Sequence, residues 1–228
     1  ITDQTQGNWN GIVGKIELQS TPEVFFEDIQ VYPDLAGKKA LVRMNVRASS
    51  SAKGEIALSA RSFNTNVNHE IAPVYQTVTV RKGDNPLEME LPMGQNFLTW
   101  DEFSPALYRL TATLKNGKQI ETKQVQFGMR EFTINGKWFY VNGRKTMLRG
   151  TVENCDFPLT GYAPMDVASW ERVFRICRNY GLNHMRFHSF CPPEAAFIAA
   201  DLVGFYLQPE GPSWPCLLYT SDAADERS

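Results

Sequence analysis

No stretch of this 228-residue sequence is apolar for long enough to cross a membrane. A helical membrane anchor is therefore not expected. No cluster of basic residues stands out and the formal net charge is -2, which makes nucleic acid a poor partner. The four cysteines, Cys155, Cys177, Cys191 and Cys216, lack the paired spacing of a zinc site and read as free buried thiols. Neither a metal nor a cofactor is expected. No secretory leader is visible, but the first residue is Ile1 rather than methionine, so localisation stays open, the periplasm and the exterior included.

What is present is ordinary soluble-protein composition, 43% hydrophobic and 21% charged, over a length that suits more than one domain. From residue 23 to 128 short apolar-alternating runs recur, at 25–32, 39–47, 55–61, 74–80, 87–91, 108–114 and 121–127. The alternation is clearest in Ala40-Leu41-Val42-Arg43-Met44-Asn45-Val46-Arg47, and Asn116-Gly117 is a strong hairpin turn. About seven strands in about a hundred residues predict an immunoglobulin-like β-sandwich. Within it, Asp101 and Glu102 look like an acid/base pair, but adjacent residues in a loop diverge, so a solvated loop is the expectation. His69, between Asn68 and Glu70, reads as a surface histidine. Two Asn-Gly turns, Asn135-Gly136 and Asn142-Gly143, then mark hairpin strands at 131–134 and 138–141.

The pattern changes after Lys145. Apolar runs at 147–149, 184–187 and 205–207 alternate with helical stretches at 169–180 and 193–202. Strands alternating with helices predict βαβ units on a parallel sheet. Asp166 suits an N-cap, with an apolar stripe at Trp170, Val173, Phe174 and Cys177 and Gly181 just past the helix end. Strand alternation puts His184, Arg186 and His188 on one face and Met185 and Phe187 on the other, under the helices. The same logic sends Tyr206, Gln208 and Glu210 inward, Phe205 and Leu207 to the helices, and Met147, Arg149 and Thr151 inward. Chemistry on such sheets gathers at the C-terminal strand ends. The candidate substrate-binding residues are therefore Arg149, Asn154, Arg186, His188 and Glu210.

Several segments carry a resemblance. Arg149-Gly150, Asn183-His184-Met185-Arg186-Phe187-His188-Ser189 and Gly204-Phe205-Tyr206-Leu207-Gln208-Pro209-Glu210 resemble, in order and spacing, the Arg-Gly, Asn-x-x-Arg-x-Ser-His and Gly-(hydrophobic)-Asp-Glu segments of glycoside hydrolase family 2, the β-galactosidase and β-glucuronidase family. Trp100 to Pro105, ahead of Leu107-Tyr108, resembles the family's Trp-x-Pro…Leu-Tyr segment. The sequence departs from the family pattern at Asn154-Cys155, where His-Glu is usual, in the reversed His188-Ser189, and at Pro209, where an Asp is usual.

The resemblance implies a multidomain chain truncated at both ends. Residues 1–22 would end a sugar-binding β-sandwich, 23–128 form the immunoglobulin-like sandwich, and 129–215 contain the first three βα units of a TIM (β/α)8 barrel. Residues 216–228 resemble a translated sequencing adapter and read as a non-native tail. Trp9 suits a sugar site and a sandwich core equally. The implied activity is that of a retaining exo-glycosidase of β-galactosidase type, acting on an oligo- or polysaccharide. The family's catalytic Glu pair follows barrel strands 4 and 7, so no catalytic residue is expected within this sequence. Arg149 and Arg186 then have two readings, partners of barrel carboxylates or direct sugar contacts; His188 divides between sugar contact and rim structure. A non-catalytic carbohydrate-binding or adhesion sandwich is the alternative.

Overall fold

A computed structural model describes residues 16–211. The expectations for residues 1–15, Trp9 included, and for 212–228, with Cys216 and the tail, lie outside the described residues. The chain divides into two compact units, Glu17–Met147 in one and the residues from Leu148 onward in the other.

The first unit is built on β1 (Val24–Asp34), β2 (Lys39–Ala48), β3 (Ala52–Ser62), β4 (Glu70–Val80), β5 (Gly83–Pro92), β6 (Tyr108–Asn116) and β7 (Gln119–Phe127). All seven expected strands are present, each longer than its apolar core suggests, because the ladders run on through polar ends. One sheet has the order β1-β2-β5 and the other β4-β3-β6-β7, every pairing antiparallel. Alternation sets the faces: Ala40, Val42, Met44, Val46 and Ala48 are buried, while Arg43 and Arg47 point out. They share one core with Phe26, Ile56, Leu58, Leu91, Tyr108, Leu110 and Leu114 from both sheets, so the seven strands form a sandwich.

The open edge of β1 is closed by side chains from β7. The Glu121 carboxylate accepts from the Phe26 N–H at 2.9 Å, Gln119 Nε2 donates to Val24 O at 2.8 Å, and Lys123 Nζ donates to Glu27 O at 2.8 Å. They meet β1 where its register slips between Phe26 and Asp28. Burial raises the Glu121 carboxyl above its ordinary range, against the pull of the Phe26 N–H and of Lys123. Glu121→Ala leaves the Phe26 N–H without this acceptor and should cost about 1–3 kcal/mol. Glu121→Gln keeps an acceptor and sheds the buried charge, so chemical denaturation should find it close to wild type.

Two sandwich expectations are corrected. His69 is half-buried rather than on the surface: its Nδ1 lies 2.7 Å from the Tyr108 hydroxyl, which also accepts from the Leu98 N–H at 2.8 Å. The Tyr108 hydroxyl therefore joins the Leu98 backbone to the His69 ring inside the sandwich. Glu102 is not solvated either; only 6% of it is exposed. Asp101 does face its own loop, accepting from the Phe103 and Ser104 N–H groups at 2.7 and 2.9 Å and pairing with Arg144 at 3.2 Å.

Three short strands, β8 (Phe132–Asn135), β9 (Trp138–Val141) and β10 (Arg144–Thr146), form an antiparallel meander in the same unit. Asn142 ties it to the sandwich: its side chain donates to Trp100 O at 3.0 Å and accepts from the Glu131 N–H at 2.9 Å.

The second unit reads β11 (Gly150–Glu153), α1 (Val167–Asn179), β12 (His184–Phe187), α2 (Glu194–Val203), β13 (Tyr206–Gln208). Its three strands are parallel, in the order β11-β12-β13. Asp166 caps α1, Oδ1 accepting from the Ser169 N–H and Oδ2 from its hydroxyl, both at 2.8 Å. Gly181 and Gly204, at φ of 79° and 78°, end the two helices in the left-handed conformation that glycine adopts without strain. Both helices cover the face of Met185 and Phe187, and Trp170, Phe174, Ala196, Ala199, Val203 and Phe205 complete that core.

The first strand differs from expectation. It begins at Gly150 rather than ending at Arg149, and Thr151 pairs with Met185, on the helix side. The reason is local. Arg149 and Asn183 bond to each other first, Arg149 N–H to Asn183 Oδ1 at 2.7 Å and Asn183 N–H to Arg149 O at 3.0 Å. The ladder proper then opens at Gly150 opposite His184. Glycine is unfavourable in strands, but this one makes room: a Cβ there would stand 2.4 Å from His184 Nδ1.

Candidate functional site

Three strand ends meet at the C-terminal edge of the parallel sheet, and their side chains are joined by direct bonds. Arg186 lies on the uncovered face of β12, in register with Gln208 of β13. Its Nε donates to Glu210 Oε1 at 2.5 Å, and the other Glu210 oxygen accepts from the Ser189 N–H at 3.0 Å. The Glu210 N–H donates to Phe190 O at 3.2 Å, so one residue ties the end of β13 to the turn after β12. The Ser189 N–H, then Arg186, hold the Glu210 carboxyl below its ordinary range, with His188 adding to the pull. The group is an anion at neutral pH.

The turn that Glu210 grips is unusual. Ser189 has φ of 63°, and Cys155 in the corresponding turn after β11 has φ of 61°. Non-glycine residues adopt this conformation at a cost of about 1–2 kcal/mol. Such strain persists where surrounding contacts over-determine it. At Ser189 those contacts are the Glu210 bond and the adjacent His188 N–H, which donates to Glu153 O at 2.8 Å. At Cys155 the Glu153 carboxylate does the work, accepting from the Cys155 and Asp156 N–H groups at 3.1 and 3.4 Å. Burial is the largest influence on Glu153 and raises its carboxyl, although those N–H groups pull the other way. Burial, with Glu153 and Asp156 nearby, pushes the Cys155 thiol up to about 11, which leaves it a neutral, unreactive group at neutral pH.

Of the residues expected to bind substrate, Arg186, His188 and Glu210 come together, His188 being half-buried and close enough to Glu210 to act on its carboxyl. Asn154 is exposed in the loop leaving β11, on the same edge. Arg149 does not join them. It precedes β11, at the opposite end of the strands, and its Nε donates to Gly181 O at 2.7 Å, behind α1. The misplacement follows from reading the strand one turn of pleat too early, with Gly150 taken as a stop. The thiols also differ from expectation: Cys155 and Cys177 are half-buried and Cys191 is exposed. Among the described residues no group of three or more His, Cys, Asp or Glu side chains could hold a metal ion.

His184 sits lower on the same face, only 9% exposed. Burial lowers its imidazole below the ordinary histidine value, so it is neutral in the folded unit. A histidine whose folded pKa is depressed stabilises most when both states are neutral. As pH falls through about 6.5 the unfolded chain takes up a proton that the folded chain refuses, and stability is lost. Thermal melts of the helical unit should show this loss between neutral and mildly acid pH, and His184→Gln should flatten that part of the profile.

Parallel strands that gather a guanidinium, an imidazole and a carboxylate at their C-terminal ends make the kind of ligand site found in α/β enzymes. The sequence comparisons define the class. Residues 24–130 match the family model for glycosyl hydrolases family 2, and the chain resembles members of that family along most of its length. Among its relatives are a β-galactosidase from Oenococcus oeni, 23% identical over 91% of this chain and 21% of the relative, and a putative β-glucuronidase from Formosa agariphila, 25% identical over 93% and 28%. The fold matches a glycosyl hydrolase family 2 member from Bacteroides cellulosilyticus, with a TM-score of 0.70 at 20% identity, covering 84% of this chain and 27% of that one. A Parabacteroides merdae β-glucuronidase matches with a TM-score of 0.63 at 25% identity, over 84% and 24%. The chain thus spans 21% and 28% of the length of these two curated relatives.

Proposed function

We propose that this sequence is part of a retaining exo-glycosidase of β-galactosidase type, hydrolysing O-glycosyl bonds of an oligo- or polysaccharide in carbohydrate metabolism. In this reading residues 23–128 are an immunoglobulin-like sandwich and 129–215 open a TIM barrel. Its sugar site is walled in part by Arg186, His188, Asn154 and Glu210. The match of residues 24–130 to the glycosyl hydrolase family 2 model supports the hydrolase class. The observation that carries the site is the convergence of Arg186, His188 and Glu210 at the C-terminal ends of parallel strands.

The roles follow from the bonding. A retaining mechanism needs a nucleophilic carboxylate and a second carboxyl that acts as general acid, about 5–5.5 Å apart. Glu210 is held by Arg186 and the Ser189 N–H, and Glu153 by its own loop. Each is engaged in shaping a turn, and neither is placed as half of a catalytic pair. Glu210 instead orients Arg186, which has only its Nε bonded to Glu210 and presents its terminal nitrogens for a second acceptor. His188 and Asn154 supply neutral hydrogen-bonding groups suited to sugar hydroxyls. In this reading the catalytic carboxylates follow barrel strands 4 and 7, which are not among the 228 residues.

The test uses the longer protein that contains this sequence. Arg186→Ala should lower kcat/KM for an aryl β-glycoside by about a hundredfold, an amount typical for loss of one charged positioning group. Proton NMR of the first-formed sugar should show retained anomeric configuration. An inverted product, or an Arg186→Ala enzyme of wild-type activity, would refute the reading.

A further inference from the structure

The meander carries a feature that neither the core nor the strand-end site uses. On β9, Trp138 and Tyr140 lie two residues apart and so on one face, with Asn135 opposite Trp138 and with Thr133 and Lys145 flanking Tyr140. Phe132, Ile134, Phe139 and Val141 take the other face. Trp138 is 37% exposed. Two ammonium groups attend its ring: Lys145 Nζ is 3.2 Å from the ring centroid and Lys137 Nζ is 5.4 Å from it. Neither lysine makes an ion pair with a described residue. The segment 130–146 holds four basic residues, Arg130, Lys137, Arg144 and Lys145, against one acidic residue, Glu131. Arg144 is already committed to Asp101.

We infer that Trp138, Lys137 and Lys145 form a binding platform for an anionic saccharide chain. The chemistry runs as follows. The face of an indole is electron-rich, and an ammonium rests on it for want of a better partner. The C–H face of a pyranose carries the same weak positive polarity over a matching flat area. A carboxylate or sulfate on that sugar is a stronger partner for Lys145 than the ring is. On binding, Lys145 leaves the ring for the anion, and the sugar takes the ring face. Lys137, from the turn before β9, reaches an anion on the next residue of the chain. Tyr140 extends the aromatic surface along the strand. A neutral saccharide offers nothing to draw Lys145 away and is disfavoured. A nucleic acid could also stack on Trp138, and the oligonucleotide titration below separates the two. The choice of a saccharide among anions rests on the hydrolase reading above.

The purified chain is run in native gels containing polygalacturonate, dextran sulfate or neutral β-galactan, and titrated with a thymidine oligonucleotide. Retardation by at least one anionic polysaccharide and none by the galactan is expected, and the stronger of the two tells carboxylate from sulfate. Trp138→Ala and Lys145→Gln should each weaken it by about tenfold, which is the range of one such ring–cation or charged contact. Both substitutions are at exposed positions, and unchanged far-ultraviolet circular dichroism verifies the fold. Equal retardation by galactan, no retardation at all, unchanged binding in both variants, or tighter binding of the oligonucleotide would each overturn the proposal. The assay reads no turnover, so its failure leaves the glycosidase reading standing, and an inactive enzyme would not mimic its success.

Discussion

Trp170→Ala should abolish the helical unit's stability. Trp170 is 1% exposed, stacks against Phe174 with ring centroids 5.8 Å apart, and meets Phe157 and Phe187 edge-on. Its indole N–H donates to Pro164 O at 2.8 Å, which fixes the loop ahead of α1. Truncating a buried aromatic of this size costs about 3–5 kcal/mol. A unit with three short strands and two helices has little more than that to lose. The helical far-ultraviolet signal should therefore collapse. The sandwich has its own core, drawn wholly from residues 24–129, and the buried Trp100 should keep its shielded fluorescence. A variant with wild-type helical melting would mean that the aromatic cluster does not hold this unit together.

Gly150→Ala should be the most damaging single-methyl addition in the chain's parallel sheet. The added Cβ would stand 2.4 Å from His184 Nδ1 and 3.4 Å from both Cγ and Cε1. Gly150 does not have a positive φ, so the penalty is steric and not conformational. Either the imidazole rotates out of its buried place or β11 and β12 separate. Overpacking of this kind costs about 1–3 kcal/mol. The mechanism has a signature: in Gly150→Ala with His184→Ala the clash is gone, so the pair should be less destabilised than the two singles added together. Strict additivity would place the cause elsewhere.

Much of the architecture was legible because period decides it. The two-residue alternation of Ala40 to Ala48 gives both the strand and its buried face, and the Trp170, Val173, Phe174, Cys177 stripe gives α1 and the side on which it packs. In the site, Arg186, His188 and Glu210 were legible for the same reason, since β12 and β13 follow the expected alternation. Arg149 was not. Local sequence makes Gly150 a breaker, whereas what keeps it in the ladder is a histidine 34 positions later. His69 and Glu102 show the same gap. Their polar neighbours suggest solvent, but Tyr108 and the loop packing that enclose them are long-range and leave no local trace. Nor does sequence reveal that Glu210 spans two strand ends, because bonding across 21 residues to the Ser189 N–H depends on the turn geometry itself.

The most direct measurement is hydrolysis by the 228-residue chain itself, purified and offered aryl β-galactoside, β-glucuronide and β-mannoside. Glu153 and Glu210 are committed to turns, so no turnover above buffer is expected from this chain, and turnover is expected from a longer protein that contains it. Turnover by the chain alone that disappears in Glu153→Gln or Glu210→Gln would place the catalytic pair within it and contradict the account.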